Sequence, residues 1–495
     1  MSASEGSRLP TVVLDGETLT PRAVAAIARG RAPVALAPAA RARNEAAEGT
    51  AAALVAAGVE LYGASTGVGA LSARALDEAE RADYSLRLLR SHASGGGPAL
   101  RRDAVRAAMA VRANQLGAGG AGVAPPLHEA LVRALNAGLE PVVHTFGSLG
   151  TGDLTALAEI ALGLLGEGGC DADALRGAGI GPIALGPRDG LAFMSSNAAG
   201  AGASALVAVD AAGLLDAWLA VAALSLEAAG ADPVVFDARA HPAGRSAGAV
   251  SVAGRMRAHL DGARAGGGRV QYAYPFRIVS QIDGATHDAL HRLERAVTAE
   301  INLAGENALI VAPDGVALPN GAFAAAALAG ALDGLRLALA QSASLIGARV
   351  SALLDPALSG LPAFLARDPG PDSGAMMLEY TAAEAAAEVR SLALPVAVQS
   401  VSVARGVESH ATLASVAARR AQEALAALRV LVAAELVVAV RALRLAGREP
   451  AGAGSRSLFR DAAAVLDAEL RDRPLHGDLR AAAELIDRHA HPARA

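Results

Sequence analysis

The sequence predicts a mainly α-helical protein, a bundle of long helices joined to a smaller N-terminal domain of mixed character. Three observations carry this. From about Leu206 onward, Ala/Leu/Val segments at helical spacing dominate, over residues 212–231, 322–340 and 411–446, each longer than an average globular helix. Strand signals are sparse and short, with β-branched runs at 141–145, 233–236 and 395–403. Of the 495 residues, 53% are hydrophobic, which is ample for a large buried core.

Along the chain, residues 11–14 (TVVL) read as a short strand and 16–29 as a helix capped by Thr20. Glycine-rich breaks follow at 95–97, 117–122 and 266–268. The shift to long apolar helices places the division between a mixed domain, 1–205, and a helix-bundle domain, 206–495. Periodic Leu and Val in the alanine-rich stretches mark packed helices rather than low complexity.

Composition excludes several function classes. A net charge of −5 and an aromatic content of 3% argue against nucleic acid as a partner. One cysteine, Cys170, rules out an intramolecular disulfide and cysteine-based metal centres. All 44 basic residues are arginine, so there is no lysine for a pyridoxal aldimine, a Walker-A loop or a kinase strand. The N-terminal residues show no apolar signal core, and the apolar run 430–440 is broken by Glu435 and too short to span a bilayer. A soluble, cytoplasmic protein with no membrane partner is expected. His287 and His291 have the i, i+4 spacing of a two-His metal site, but no third ligand is near in sequence. An exposed helix face is expected there, and no metal.

Several motifs carry chemistry. Residues 61–71 read LYGASTGVGAL, 89–100 LRSHASGGGPAL, 112–123 RANQLGAGGAGV and 271–284 QYAYPFRIVSQIDG. EINLAGENAL at 300–309, LLDPALSGLPAFL at 353–365, SGAMMLEYTAA at 373–383 and ESH at 408–410 follow. Together they resemble the histidine/phenylalanine ammonia-lyases, in family order from Leu61 to His410. Two of the five tyrosines, Tyr62 and Tyr274, fall where that family keeps functional ones.

The resemblance implies a long-helix ammonia-lyase fold and a carbon–nitrogen lyase acting on a small amino-acid-like substrate. It also implies a homotetramer whose active sites draw on loops of more than one chain. It assigns Tyr62 as the general base for the β-hydrogen and Arg277 as a fork for the substrate carboxylate. Tyr274 would orient the amine end, with Gln271 in the same matched segment and Phe323 the residue kept from the family's G-N-F-H. Ser91-His92 stands where histidine enzymes carry Ser-His, and Glu408 matches their glutamate. A histidine and a carboxylate together satisfy both nitrogens of an imidazole.

The cofactor loop departs from the family. Its members cyclise Ala-Ser-Gly within G-S-x-G-A-S-G-D-L into methylidene-imidazolone. Here residues 147–154 read GSLGTGDL, one residue shorter, with Gly150-Thr151-Gly152 in place of Ala-Ser-Gly. The family's active-site asparagine aligns with Ser195, with Asn197 two residues on, and its G-N-F-H becomes Gly321-Ala322-Phe323-Ala324. The base loop and carboxylate fork stay while the electrophile goes. A substrate whose nitrogen is already quaternary needs no electrophile. Ergothionases, which cleave a thiol-bearing histidine betaine, resemble this family and act without the cofactor. The expectation is therefore cofactor-free β-elimination from an imidazole-bearing amino acid or betaine. Two alternatives stay open: a conventional ammonia-lyase whose Gly-Thr-Gly still cyclises, and a silent homologue serving as a binding or scaffold protein.

Overall fold

Thr20 opens the first helix, its hydroxyl accepting the Ala23 N–H at 3.2 Å while Pro21 takes the first helical position. The computed structural model describes residues 9–242, 244, 246–264 and 270–490, and the glycine break at 266–268 lies outside them. The first elements are β1 (Val12–Leu14), α1 (Pro21–Ala28), β2 (Val34–Leu36), α2 (Pro38–Ala56), α3 (Tyr84–His92) and β3 (Gly96–Ala99). Then come α4 (Arg102–Gly117), α5 (Pro125–Ala137), β4 (His144–Phe146), α6 (Leu154–Leu164) and α7 (Asp189–Met194). The long helices are α8 (Ala198–Ala228), α9 (Val279–Ile301), α10 (Ala326–Leu354) and α12 (Ala414–Leu445), with α11 (Met376–Ser391) before the last.

The predicted long helices thus form, and α8 starts earlier than its Leu/Val periodicity suggested. Its glycine-containing start is carried by tertiary packing, which overrides local propensity. Of the β-branched runs, only 141–145 contributes to a strand, its last two residues entering β4, paired antiparallel with β3. Residues Pro233–Phe236 instead form a 3₁₀ turn, because the Asp232 carboxylate accepts the Val234 N–H at 2.8 Å. The run 395–403 has one isolated bridge, Val403 to Glu408, and no partner strand to extend it.

By contacts the chain forms two compact units built from alternating segments. One comprises Met1–Val209, Glu294–Leu332 and Pro395–Arg419; the other Asp210–Leu293, Asp333–Leu394 and Arg420–Ala495. The expected division at 205/206 lies beside the first crossing alone. The remaining crossings fall inside α9, α10 and α12 or near Pro395, where the apolar pattern gives no compositional break.

In the first unit α4 packs against α1, α2 and α5, and α3 against α6 and α7. Arg112 of α4 is fully buried, donating to the Phe193 carbonyl at 2.8 Å and to Glu306 at 2.9 Å. A guanidinium so placed must be paired, and here it fixes α7 through that carbonyl. In the second unit Arg349 and Glu435 form a bidentate pair at 2.6 and 2.9 Å, both completely buried. The charge that interrupts the run 430–440 is therefore neutralised inside the core. Of the two histidines expected on an exposed helix face, His291 is exposed and His287 half-buried, its Nε2 3.2 Å from the Ser251 hydroxyl and its ring meeting His291 edge to face at 4.4 Å.

Candidate active site

The loop 147–153 joins β4 to α6, and its backbone is anchored almost residue by residue. The Ser415 hydroxyl donates to the Ser148 carbonyl at 2.6 Å, and the Leu413 N–H to the Leu149 carbonyl at 2.7 Å. The Gly150 carbonyl accepts from the Thr412 hydroxyl at 2.7 Å and from the Ala325 N–H at 3.3 Å. The Gly152 N–H donates to Asn197 Oδ1 at 2.9 Å, and Asn197 in turn donates to the Phe323 carbonyl and to Glu300 at 3.2 Å.

Position 150 requires glycine. Its φ is +75°, and a Cβ there would lie 2.4 Å from Thr412 Oγ1 and 2.7 Å from the Ala414 nitrogen. No side chain, not even a methyl group, therefore fits at position 150 of this loop. Thr151, in place of the serine, directs its hydroxyl to Glu408 at 3.4 Å. An Ala-Ser-Gly does occur in the chain, as Ala93-Ser94-Gly95, in the turn after α3 and outside the loop.

At the end of the loop, Asp153 is completely buried and accepts the Gly200 N–H at 2.6 Å, near the start of α8. Burial raises its carboxyl to about 6, and hydrogen-bond donors including Gly200 offset part of that effect. Glu300 is likewise raised, first by burial; the Asn197 hydrogen bond opposes the shift and the nearby Asp153 charge adds to it.

Tyr62 is half-buried, and its hydroxyl accepts the Gly69 N–H at 2.8 Å, which closes the glycine-flanked loop onto itself. His92 ends α3. Its Nδ1 lies 2.9 Å from the Leu88 carbonyl and 3.0 Å from the Ser91 hydroxyl, which directs Nε2 away from the helix backbone. Ser195 is buried, and its hydroxyl accepts the Asn307 N–H at 3.3 Å.

The structure thus joins Thr151 to Glu408, and Asn197 to both Gly152 and Phe323. Ser91, His92 and Tyr62 spend the hydrogen bonds described above within their own segments. Gln271, Tyr274 and Arg277 belong to the second unit and form a cluster there. Arg277 donates to Gln271 Oε1 at 3.0 Å, and its guanidinium carbon is 5.6 Å from the centre of the Tyr274 ring. Tyr274 is 63% exposed and borders an apolar groove of about 610 Å³ with Ile278, Ile282 and Leu337.

Three residues of the first unit's site escaped sequence reasoning. Thr412 reaches the loop directly and Glu300 through Asn197, both from far along the chain; the signals available were that Thr412 lies four residues beyond Glu408 and that Glu300 opens the EINLAGENAL motif. Tyr84, at the start of α3, has its phenol pushed up by burial and then by the neighbouring Tyr62.

Comparison with known proteins agrees with this architecture. The model of the aromatic amino acid lyase family matches residues 19–464. Histidine ammonia-lyase from Geobacillus kaustophilus is 36% identical over 88% of each chain. The ergothionase from Treponema denticola, an ergothioneine-degrading enzyme, superposes with a TM-score of 0.92 at 25% identity, over 97% of this chain and 99% of that one. Tyrosine aminomutase from Streptomyces globisporus gives 0.92 at 28% identity, over 98% and 99%. With those motifs, that loop between β4 and α6 and a family match across most of its length, the chain belongs to the aromatic amino acid lyase family and is a carbon–nitrogen lyase.

Proposed function

We propose that this lyase removes the amine from an imidazole-bearing α-amino acid or betaine by β-elimination without methylidene-imidazolone, with release of trimethylamine from a histidine betaine the favoured case. The observation that carries this reading is the loop. Position 150 leaves no room for a Cβ, and the Thr151 hydroxyl is engaged with Glu408. A neutral or ammonium amine leaves poorly unless an electrophile captures it. A trimethylammonium group has no lone pair to be captured and departs as neutral trimethylamine.

In this reading Tyr62 takes the β-proton, the Cα–N pair leaves with nitrogen, and the remaining electrons form the double bond of an α,β-unsaturated acid. Arg277 holds the carboxylate through its guanidinium fork, with Gln271 and Tyr274 beside it. His92, with Ser91, and Glu408 take the two imidazole nitrogens, and Phe323, Ser195 and Asn197 shape the pocket around them. The enzyme works in the cytoplasm as a homotetramer, and the exposed apolar groove at Tyr274 supports self-association.

One arrangement favours a second reading, a conventional histidine or aromatic ammonia-lyase with a ring made from Gly150-Thr151-Gly152. Two donors lie on the Gly150 carbonyl and an acceptor on the Gly152 N–H, the two atoms a ring closure would join. Substrate profiling separates the two. Histidine, its trimethyl betaine, the thiol-bearing betaine and phenylalanine are each offered to purified enzyme, with conjugated-acid absorbance and released amine followed together. Trimethylamine from a betaine is the expected outcome. Ammonia from histidine, with no betaine consumed, overturns the proposal in favour of the second reading.

A further inference from the structure

Glu159 and His144 form a pair with no part in the chemistry above, yet they stand at both ends of the loop. His144 begins β4, just before the loop, and Glu159 lies between one and two turns into α6, just after it. One carboxylate takes both donors of the histidine: the backbone N–H at 2.8 Å and Nδ1 at 2.8 Å. The Glu159 side chain is only 9% exposed, whereas that of His144 is 38% exposed. The turn after His92 rests on the same pair, since a Cβ at Gly95 would lie 2.4 Å from Glu159 Oε1 and 2.8 Å from His144 Cβ. The Thr145 hydroxyl adds a bond to the Pro98 carbonyl at 2.7 Å, fastening β4 to β3.

We propose that the Glu159–His144 pair is a brace that holds the two ends of the 147–153 loop and the turn behind His92 in one setting, making both positioning residues for the active site. A nearly buried carboxylate that satisfies two donors on one neighbour fixes that neighbour's backbone and ring together. Because the acceptor sits on α6 and the donors on β4, the chain from 144 to 159 is closed into a loop by that carboxylate. Thr151 lies inside the closure, and His92 lies just upstream of the turn packed on it. The inference rests on the reading that this loop and His92 belong to the active site.

The atom through which His144 acts decides the test. Asparagine places an amide nitrogen where histidine has Nδ1, and glutamine places one where histidine has Nε2. Three variants, His144→Ala, His144→Asn and His144→Gln, are compared by amide hydrogen exchange and by steady-state kinetics. In His144→Ala, amides within 95–99 and 144–149 should exchange about tenfold faster or more, and kcat should fall about tenfold with KM little changed. His144→Asn should restore both readings, and His144→Gln should behave like alanine. Rescue by glutamine but not asparagine would overturn the proposal, since Nε2 would then be the working atom. Unchanged exchange in all three variants would overturn it as well. Should the alanine variant fail to fold, the asparagine and glutamine pair still decides. If the wild-type enzyme turns over none of the offered substrates, the exchange measurements still judge the brace, and only the proposed reaction fails.

Discussion

Thr151 Oγ1 stands 3.4 Å from Glu408 Oε2, so the hydroxyl in the middle of the 147–153 loop is hydrogen-bonded to a carboxylate from a distant segment, the one proposed to share imidazole recognition with His92. The two are 257 residues apart in sequence. A cofactor-forming loop would eliminate that hydroxyl as water, whereas the proposed cofactor-free loop keeps it as a donor to Glu408. What the loop becomes in the folded protein is therefore the first thing to measure.

Intact mass of the folded protein should equal the sequence mass, with no loss of two waters. Thr151→Ala should then lower turnover by no more than about tenfold, the effect of removing one hydrogen bond. A mass lower by two waters, with peptide mapping that locates the change at 150–152 or at Ala93-Ser94-Gly95, defeats the cofactor-free reading.

Tyr62→Phe should abolish most turnover while sparing substrate binding. The hydroxyl is needed as a base only in the transition state, so kcat should fall by about 10²–10⁴-fold. Retained activity would move the base elsewhere, and Tyr274 becomes the residue to replace next.

His92→Leu should depress turnover of imidazole substrates about 10–100-fold, because one imidazole nitrogen and Glu408 would lose a shared network. Phenyl substrates should be unaffected, since Arg277 and its Gln271 partner are untouched. Equal loss for both ring types, together with a lower melting temperature, means that His92 serves packing and the imidazole assignment is wrong.

Asp283 gives a pH test that needs no substrate. It is completely buried and bonded to the Ser342 hydroxyl at 2.7 Å; burial raises its carboxyl from 3.8 to about 6, with the Arg349 charge opposing the shift. The folded state therefore holds this proton more tightly than the unfolded chain does. The stability it contributes is fully present below 3.8 and is lost as pH rises through about 6. Asp283→Asn has no such proton, so the variant should gain on the wild type by roughly 1–3 kcal/mol between pH 4 and pH 7. Denaturation midpoints across that range check it, and a variant that loses ground with rising pH contradicts the assignment.

Local pattern in the sequence was enough for the long helices, the Thr20 cap and the family motifs, because helical periodicity, capping and short motifs all act between near neighbours in the chain. It was also enough to read Gly150-Thr151-Gly152 in the loop and to show that no lysine chemistry is available. Tertiary structure decided the rest. Only close approach shows that Thr412 leaves position 150 no room for a side chain, or that one Glu159 carboxylate spans the two ends of the loop. The alternation of segments between the two units was equally hidden, because α9, α10 and α12 pass the boundaries as unbroken helices. Burial, which raises Asp153 and Asp283 to about 6, is a property of what surrounds a residue in space, and no spacing along the chain encodes it.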